Sequence, residues 1–375
     1  MTNGRIRVGI VGASPDGGWA AQAHLPALAM LDEYRVTAVA TTRTGSARRA
    51  AERFRAPSAF TSAAELAAHP EVDLVVVSVR TAGHAEAVRA AIGSGKHVLS
   101  EWPLGVDADE ATALARAADG AGVVHAVGLQ VYHSPGARFV RDLLAAGRLG
   151  RVESVSFVGA ADPLGGSRIP QSLAWSTTPA AATGVLMIMA GHTLAAIDQI
   201  AGELVEVSAM AASRHDRVTV IETGQLVDNH IAGQLAFVGR FGDGALASIS
   251  LHGGSAPGPD GFLLKVAGTE GTLTITPART GEYMNWADWR VGLAPAGGAP
   301  RELPVPARYR TVPSGAAGGP VANVAALYRD LATAIREHRP AHPDFHTAVR
   351  HQRTLAAIDR AARTGVCQVL ETPRR

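Results

Sequence analysis

The stretch Gly9-Ile10-Val11-Gly12-Ala13-Ser14-Pro15-Asp16-Gly17-Gly18-Trp19-Ala20 concentrates more chemical signal than any other part of this 375-residue sequence. Glycines let a chain turn tightly after a strand and bring its backbone against a phosphate. A helix starting just beyond adds free N–H groups and the positive end of its dipole. The spacing departs from the GxGxxG fingerprint: Ser14 stands at the second glycine, and about four extra residues precede Gly18. By itself the loop reads either as a diphosphate cradle or as a glycine-rich turn without a ligand. As a cradle, its contacts are Gly12, Ser14, Gly17, Gly18 and Trp19.

Other residues suit the work around such a cradle. His192 follows Gly191 in Met187-Ile188-Met189-Ala190-Gly191-His192, and an imidazole of ordinary pKa can give or take a proton near neutrality. Tyr132 and His133 come just after a strand pattern, where either side chain can bind a hydroxyl or pass a proton. Each also has a plain structural reading, His192 as a core or capping histidine and the Tyr-His pair as surface loop. Past the second strand the chain reads Ala40-Thr41-Thr42-Arg43-Thr44. No carboxylate is there to accept from an adenosine ribose, whereas Thr42 and Arg43 suit a 2′-phosphate, which favours NADP over NAD. Arg80 and His84 follow an apolar strand at its carboxyl end, where open parallel sheets hold ligands. Glu101 would lie under the ribose or order its loop, Trp102 would stack on the nicotinamide or line a pocket, and Gln130 would bond substrate or carboxamide. His215, His230 and His252 are scattered without HxxxH or CxxC spacing, so no metal site is expected.

The elements that must position these residues alternate through the first 127 positions. Residues 6–11, 35–40, 73–79, 97–100 and 123–127 read as strands, and 20–31, 46–54, 82–94 and 107–121 as helices. Apolar strands alternating with helices imply a parallel sheet covered on both faces. Beyond residue 150 the pattern changes. Residues 152–159, 232–241 and 245–252 alternate polar and apolar, with 262–267 and 272–276 flanking the turn Thr269-Glu270-Gly271. A helix is expected over 184–200, an extended surface loop over the Gly- and Pro-rich 292–320, and helices over 321–337 and 346–363. The expected class is α/β: a doubly wound Rossmann domain over 1–128, then an α+β domain over 129–375 with a mostly antiparallel open sheet. The last helices are placed to pack back on the first domain.

Bulk properties narrow the function. Lys+Arg number 35 against 33 Asp+Glu, so a basic surface for nucleic acid is not expected. Cys367 is the one cysteine, which fits a reducing cytoplasm. No apolar leader or membrane span is expected, and the partner is a small molecule.

Several segments together resemble the Gfo/Idh/MocA oxidoreductases. They are GIVG…GGWAAQAHLPAL, then DLVVVSVRTAGHAEAVRAAIGSGKHVLSEWPLG, VGLQVYHSPGARFVRDLLAAGRLGRV, GVLMIMAGHTLAAID, GTEGTLTI and PDFHTAVRHQRTLAAIDRAARTG, in the family's order. The resemblance implies an NAD(P)-dependent enzyme moving a hydride between nicotinamide and a sugar, polyol or related hydroxy or keto compound. It also implies a homodimer or homotetramer formed through the second-domain sheet. Two departures matter. The family's Glu-Lys-Pro lysine, which positions substrate and assists proton transfer, is Trp102 here, and an indole is no general acid. The Asp that often follows the second-domain histidine by three residues is Ala195, with Asp198 the nearest carboxylate downstream. Glu-Trp-Pro, the long glycine loop and LQVYHSP look most like a subgroup that includes fungal galactose/lactose regulators. The alternative expectation is therefore a non-catalytic NAD(P)-binding regulator acting through protein contact.

Overall fold

The computed structural model describes residues 4–161, 164–254, 261–312 and 320–370. The chain divides into two compact units, one of Met1–Gln130 with Val312–Arg350, the other of Val131–Thr311 with His351–Arg375.

In the first unit six parallel strands run in the order β3-β2-β1-β4-β5-β6. They are β1 Ile6–Val11, β2 Tyr34–Ala40, β3 Ser58–Phe60, β4 Leu74–Val77, β5 His97–Ser100 and β6 His125–Val127. All four residues of β4 are fully buried, as a strand covered on both faces requires. The helices are α1 Leu25–Ala29, α2 Thr44–Phe54, α3 Ala63–Ala68, α4 His84–Gly93 and α5 Ala108–Ala121. The helix expected over 20–31 is a π turn over Ala20–His24 that passes into α1. Pro26 has no N–H to give Gln22, so the regular α ladder cannot continue through this point. β3 and α3 escape sequence reading because three and six residues are too short to show a period. α8, Pro320–Glu337, belongs to this unit: Val324, Tyr328 and Leu331 share a buried core with Ile10, Leu28 and Val76.

The second unit is built on a nine-stranded sheet of order β17-β16-β15-β14-β7-β13-β12-β9-β18. Its strands are β7 Val152–Ala161, β9 Leu204–Ala212, β12 Gln234–Phe241, β13 Leu246–Gly253, β14 Phe262–Gly268, β15 Gly271–Pro277, β16 Trp289–Pro295, β17 Arg301–Leu303 and β18 Gln368–Val369. β7 and β13 pair in parallel and every other pair is antiparallel. A small separate sheet joins β8 Arg168–Ile169, β10 Arg217–Val220 and β11 Leu226–Asp228. α6 spans Pro135–Ala145, α7 Gly191–Ala201, and α9 Phe345–Thr364, the last entering this unit at His351. Strict alternation along β12 buries Leu235, Phe237 and Phe241 and leaves Val238 exposed.

The surface loop expected over 292–320 is corrected. Its first part completes β16 and its middle holds β17, paired through Gly292↔Glu302. Gly292, Pro295 and Gly297 hide the alternation that Trp289, Val291 and Leu293 still keep. Residues 313–319 of that stretch lie outside the described residues. A helical run, Pro179–Ala201, is long and apolar enough to cross a membrane by composition, but 72% of its apolar window is buried, as in a core helix.

Candidate functional site

The glycine loop follows β1 at the carboxyl end of the parallel sheet. Gly12 has φ +93°, and a Cβ there would lie 2.2 Å from the Ser78 carbonyl oxygen, so only glycine lets the loop pass the end of β4. Gly17 and Gly18 have φ +135° and +98°, and open space lies where their side chains would project. Ser14 Oγ accepts from the Asp16 N–H at 3.2 Å. Among the described residues near β4, Ser78 carries a buried hydroxyl without a hydrogen-bond partner. Bare backbone with room beside it, at a strand's carboxyl end, fits a dinucleotide diphosphate.

Thr42 and Arg43 are exposed at the end of β2, where Arg43 precedes the first turn of α2. Arg80 is exposed past β4. His84 differs from expectation: it is buried, with Nδ1 2.8 Å from the Pro103 carbonyl and Nε2 3.0 Å from that of Val79. Burial lowers its pKa, so the neutral ring donates to one of these two carbonyls, and both ring nitrogens face backbone oxygens.

Glu101 and Trp102 follow β5. The Glu101 carboxylate fits because residue 128 is glycine: a Cβ there would meet Oε1 at 2.4 Å. His24 Nε2 lies 2.9 Å from that oxygen, off the line of a regular hydrogen bond, and His24 Nδ1 is 2.8 Å from the Tyr328 hydroxyl. Glu101 is therefore backed by two buried side chains, one from the π turn and one from α8. Sequence reading missed both, since Tyr328 is 304 positions from His24. Trp102 is buried. Gln130 is 2% exposed and its Oε1 has no partner, an acceptor held out of water with nothing to accept from.

In the second unit, His192 stands at the second position of α7. It is buried, and its Nδ1 has no hydrogen-bond partner. Burial first, then the nearby His351, lower its pKa from 6.5 to about 3. The ordinary near-neutral titration expected of it is thereby corrected: the ring is a neutral donor–acceptor. The Tyr132 hydroxyl donates to Asp198 Oδ2 at 2.5 Å and lies 3.0 Å from His351 Nε2, which can donate to it. Its one proton is thus already committed. Asp198 and His351 come from α7 and α9 and were not expected as site residues. His133 is corrected as a proton acceptor: its Nδ1 receives a hydrogen bond from Arg138 at 2.8 Å, which occupies the ring's lone pair.

Asp119, His125 and His346 also cluster, with Asp119 bonded to both rings at 3.2 and 2.9 Å. The Phe345 N–H donates to His125 Nδ1 at 3.2 Å, which puts that ring's own proton on Nε2, facing Asp119. In that tautomer Nε2 has no lone pair for a metal.

Two family models match the chain in succession. The oxidoreductase family with an NAD-binding Rossmann fold, Gfo/Idh/MocA, matches residues 6–129, and the Gal80p C-terminal domain matches 135–277. The chain belongs to the Gfo/Idh/MocA family, in a form that carries a Gal80p-like C-terminal domain. Its first unit is an NAD(P)-binding Rossmann domain. Among relatives, the dehydrogenase aclE of Aspergillus oryzae is 28% identical over 72% of this chain and 76% of its own length. The galactose/lactose metabolism regulatory protein GAL80 of Saccharomyces cerevisiae is 24% identical over 72% of this chain and 66% of its own length. In fold, the chain matches levoglucosan dehydrogenase solved with NADH and L-sorbose. The TM-score is 0.86 at 20% identity, covering 98% of this chain and 99% of the other.

Proposed function

We propose that the protein is an NAD(P)-dependent oxidoreductase acting on a sugar, a polyol or a related hydroxy or keto compound. The observation that carries this reading is His192, a buried neutral imidazole with an unpartnered Nδ1, set beside a Tyr132–Asp198–His351 hydrogen-bond network. A buried polar atom without a partner costs free energy that a bound hydroxyl or carbonyl oxygen would offset. That a relative is a dehydrogenase and that a structure of the same fold holds NADH and a sugar support the substrate class.

Under this reading Gly12, Ser14, Gly17, Gly18 and Trp19 cradle the coenzyme's diphosphate, and Thr42 and Arg43 take the adenosine end. Glu101, held by His24, Trp102 and Gln130 serve the nicotinamide end. Arg80 lies at the rim, while His84 sets the loops beneath. The coenzyme, when bound, supplies hydride donor and acceptor chemistry. In the second unit, His192 is suited to hydrogen-bond a substrate oxygen, and Tyr132, Asp198 and His351 are suited to store its proton. NADP is favoured over NAD because the end of β2 offers Arg43 and no carboxylate.

A second reading, a coenzyme-binding regulator without catalysis, is favoured by two observations: Trp102 stands where the family's lysine works, and the relative GAL80 is a regulatory protein. The test is coenzyme oxidation and reduction followed by absorbance across a panel of sugars, polyols and their keto forms. Turnover of any member supports the enzyme; tight coenzyme binding with no turnover anywhere selects the regulator.

The reading includes self-association and a cytoplasmic location, the latter consistent with the single exposed Cys367. Val158, Met210, Val238 and Leu246 are all exposed, and the register puts them on one face of the sheet, among serines and alanines and beside the Arg240–Glu206 ion pair and Lys265. These four apolar side chains on one mixed face suit a second copy of the chain. Light scattering should report a dimer or tetramer, and a monomer at assay concentration would end that part of the reading.

A further inference from the structure

The residues inserted into the glycine loop bring a problem of charge. Asp16 sits one position before Gly17, so a carboxylate lies beside backbone assigned to a diphosphate, and like charges repel. The fold answers from α2. That helix follows β2, the neighbour of β1 in the sheet, which places it alongside the loop leaving β1. From it Arg49 Nη2 pairs with Asp16 Oδ2 at 3.1 Å, and one turn later Arg53 donates to the Pro15 carbonyl oxygen. Two arginines thus fasten the insertion, and one of them cancels its charge.

We propose that Arg49 is a positioning and charge-compensating residue for coenzyme binding, whose task is to neutralise Asp16 so that an anionic dinucleotide can settle on Gly17 and Gly18. The proposal rests on the coenzyme reading above. Arg49 acts through Asp16, so its value depends on that carboxylate being present. Exposed pairs such as this add little to folding stability, and the variants should fold as the parent does. A coenzyme with a 2′-phosphate carries more negative charge and should feel the unmasked carboxylate more strongly.

The test is a double-mutant cycle read by equilibrium titration of the full chain with NADH and with NADPH, at low and at high salt. R49A should weaken binding about 3- to 10-fold at low salt, more for NADPH than for NADH, and the deficit should shrink at high salt because the charge is screened. D16N should bind at least as tightly as the parent, and D16N/R49A should return to the parent's affinity. R49A binding like the parent overturns the proposal. So does a double variant as weak as R49A, since Arg49 would then act by direct contact or by shape. If the parent itself binds neither coenzyme, the coenzyme reading falls and takes this proposal with it. A parent that binds beside an unaffected R49A removes the proposal alone.

Discussion

Burial keeps the His192 ring uncharged throughout the range in which a coenzyme-linked assay runs, since its pKa drops from 6.5 to about 3. The linkage has a definite sign. Between those two values the unfolded chain takes up a proton that the folded protein refuses, so this residue costs stability as pH falls from about 6.5 towards 3. His192→Asn should flatten the acid side of a stability–pH curve measured by urea unfolding, and it should lower kcat. Tyr132→Phe removes the hydroxyl that joins Asp198 to His351; kcat should fall about 10- to 100-fold with KM little changed, because the loss is in proton handling. An unchanged kcat in both variants would remove this cluster from the reaction. His192 and Tyr132 stand out in the sequence as candidates because each lies in a motif. Asp198 and His351 do not: Tyr132 and His351 are 219 positions apart, and no local pattern links them. His84 shows the converse, since residue type suggested ligand contact and both of its ring nitrogens face the backbone oxygens of Val79 and Pro103.

The loop from β1 to the π turn is where one substitution should do most damage. Gly12→Ala puts a methyl group at 2.2 Å from the Ser78 carbonyl oxygen, on a backbone with positive φ. A backbone atom cannot step aside as a side chain can, so the change should cost about 3 kcal/mol or more and abolish coenzyme binding. Urea unfolding read against the parent checks the first part. Strand–helix alternation made this unit readable, because buried parallel strands such as β4 leave continuous apolar runs. β16 and β17 went unread because Gly292 and Pro295 carry loop chemistry inside a paired edge. The π turn went unread because its cause, a missing N–H at Pro26, does not alter the apolar pattern.

Across the whole chain, the division into units does not follow sequence position. α8 lies beyond residue 312, yet it completes the core beneath β1 and β4 and sends Tyr328 to His24, which stands against Glu101. A late segment therefore supports a loop that an early one forms, and a truncation ahead of α8 would open the Rossmann core. The family assignment and the glycine loop agree that this unit binds NAD(P). All of it depends on a nicotinamide coenzyme resting on the backbone of Gly12, Gly17 and Gly18. Calorimetric titration of the purified chain with NADH, NADPH and their oxidised forms measures that directly. Saturable binding of at least one form, with one site per chain, is the predicted result; no heat of binding from any of the four would contradict the account.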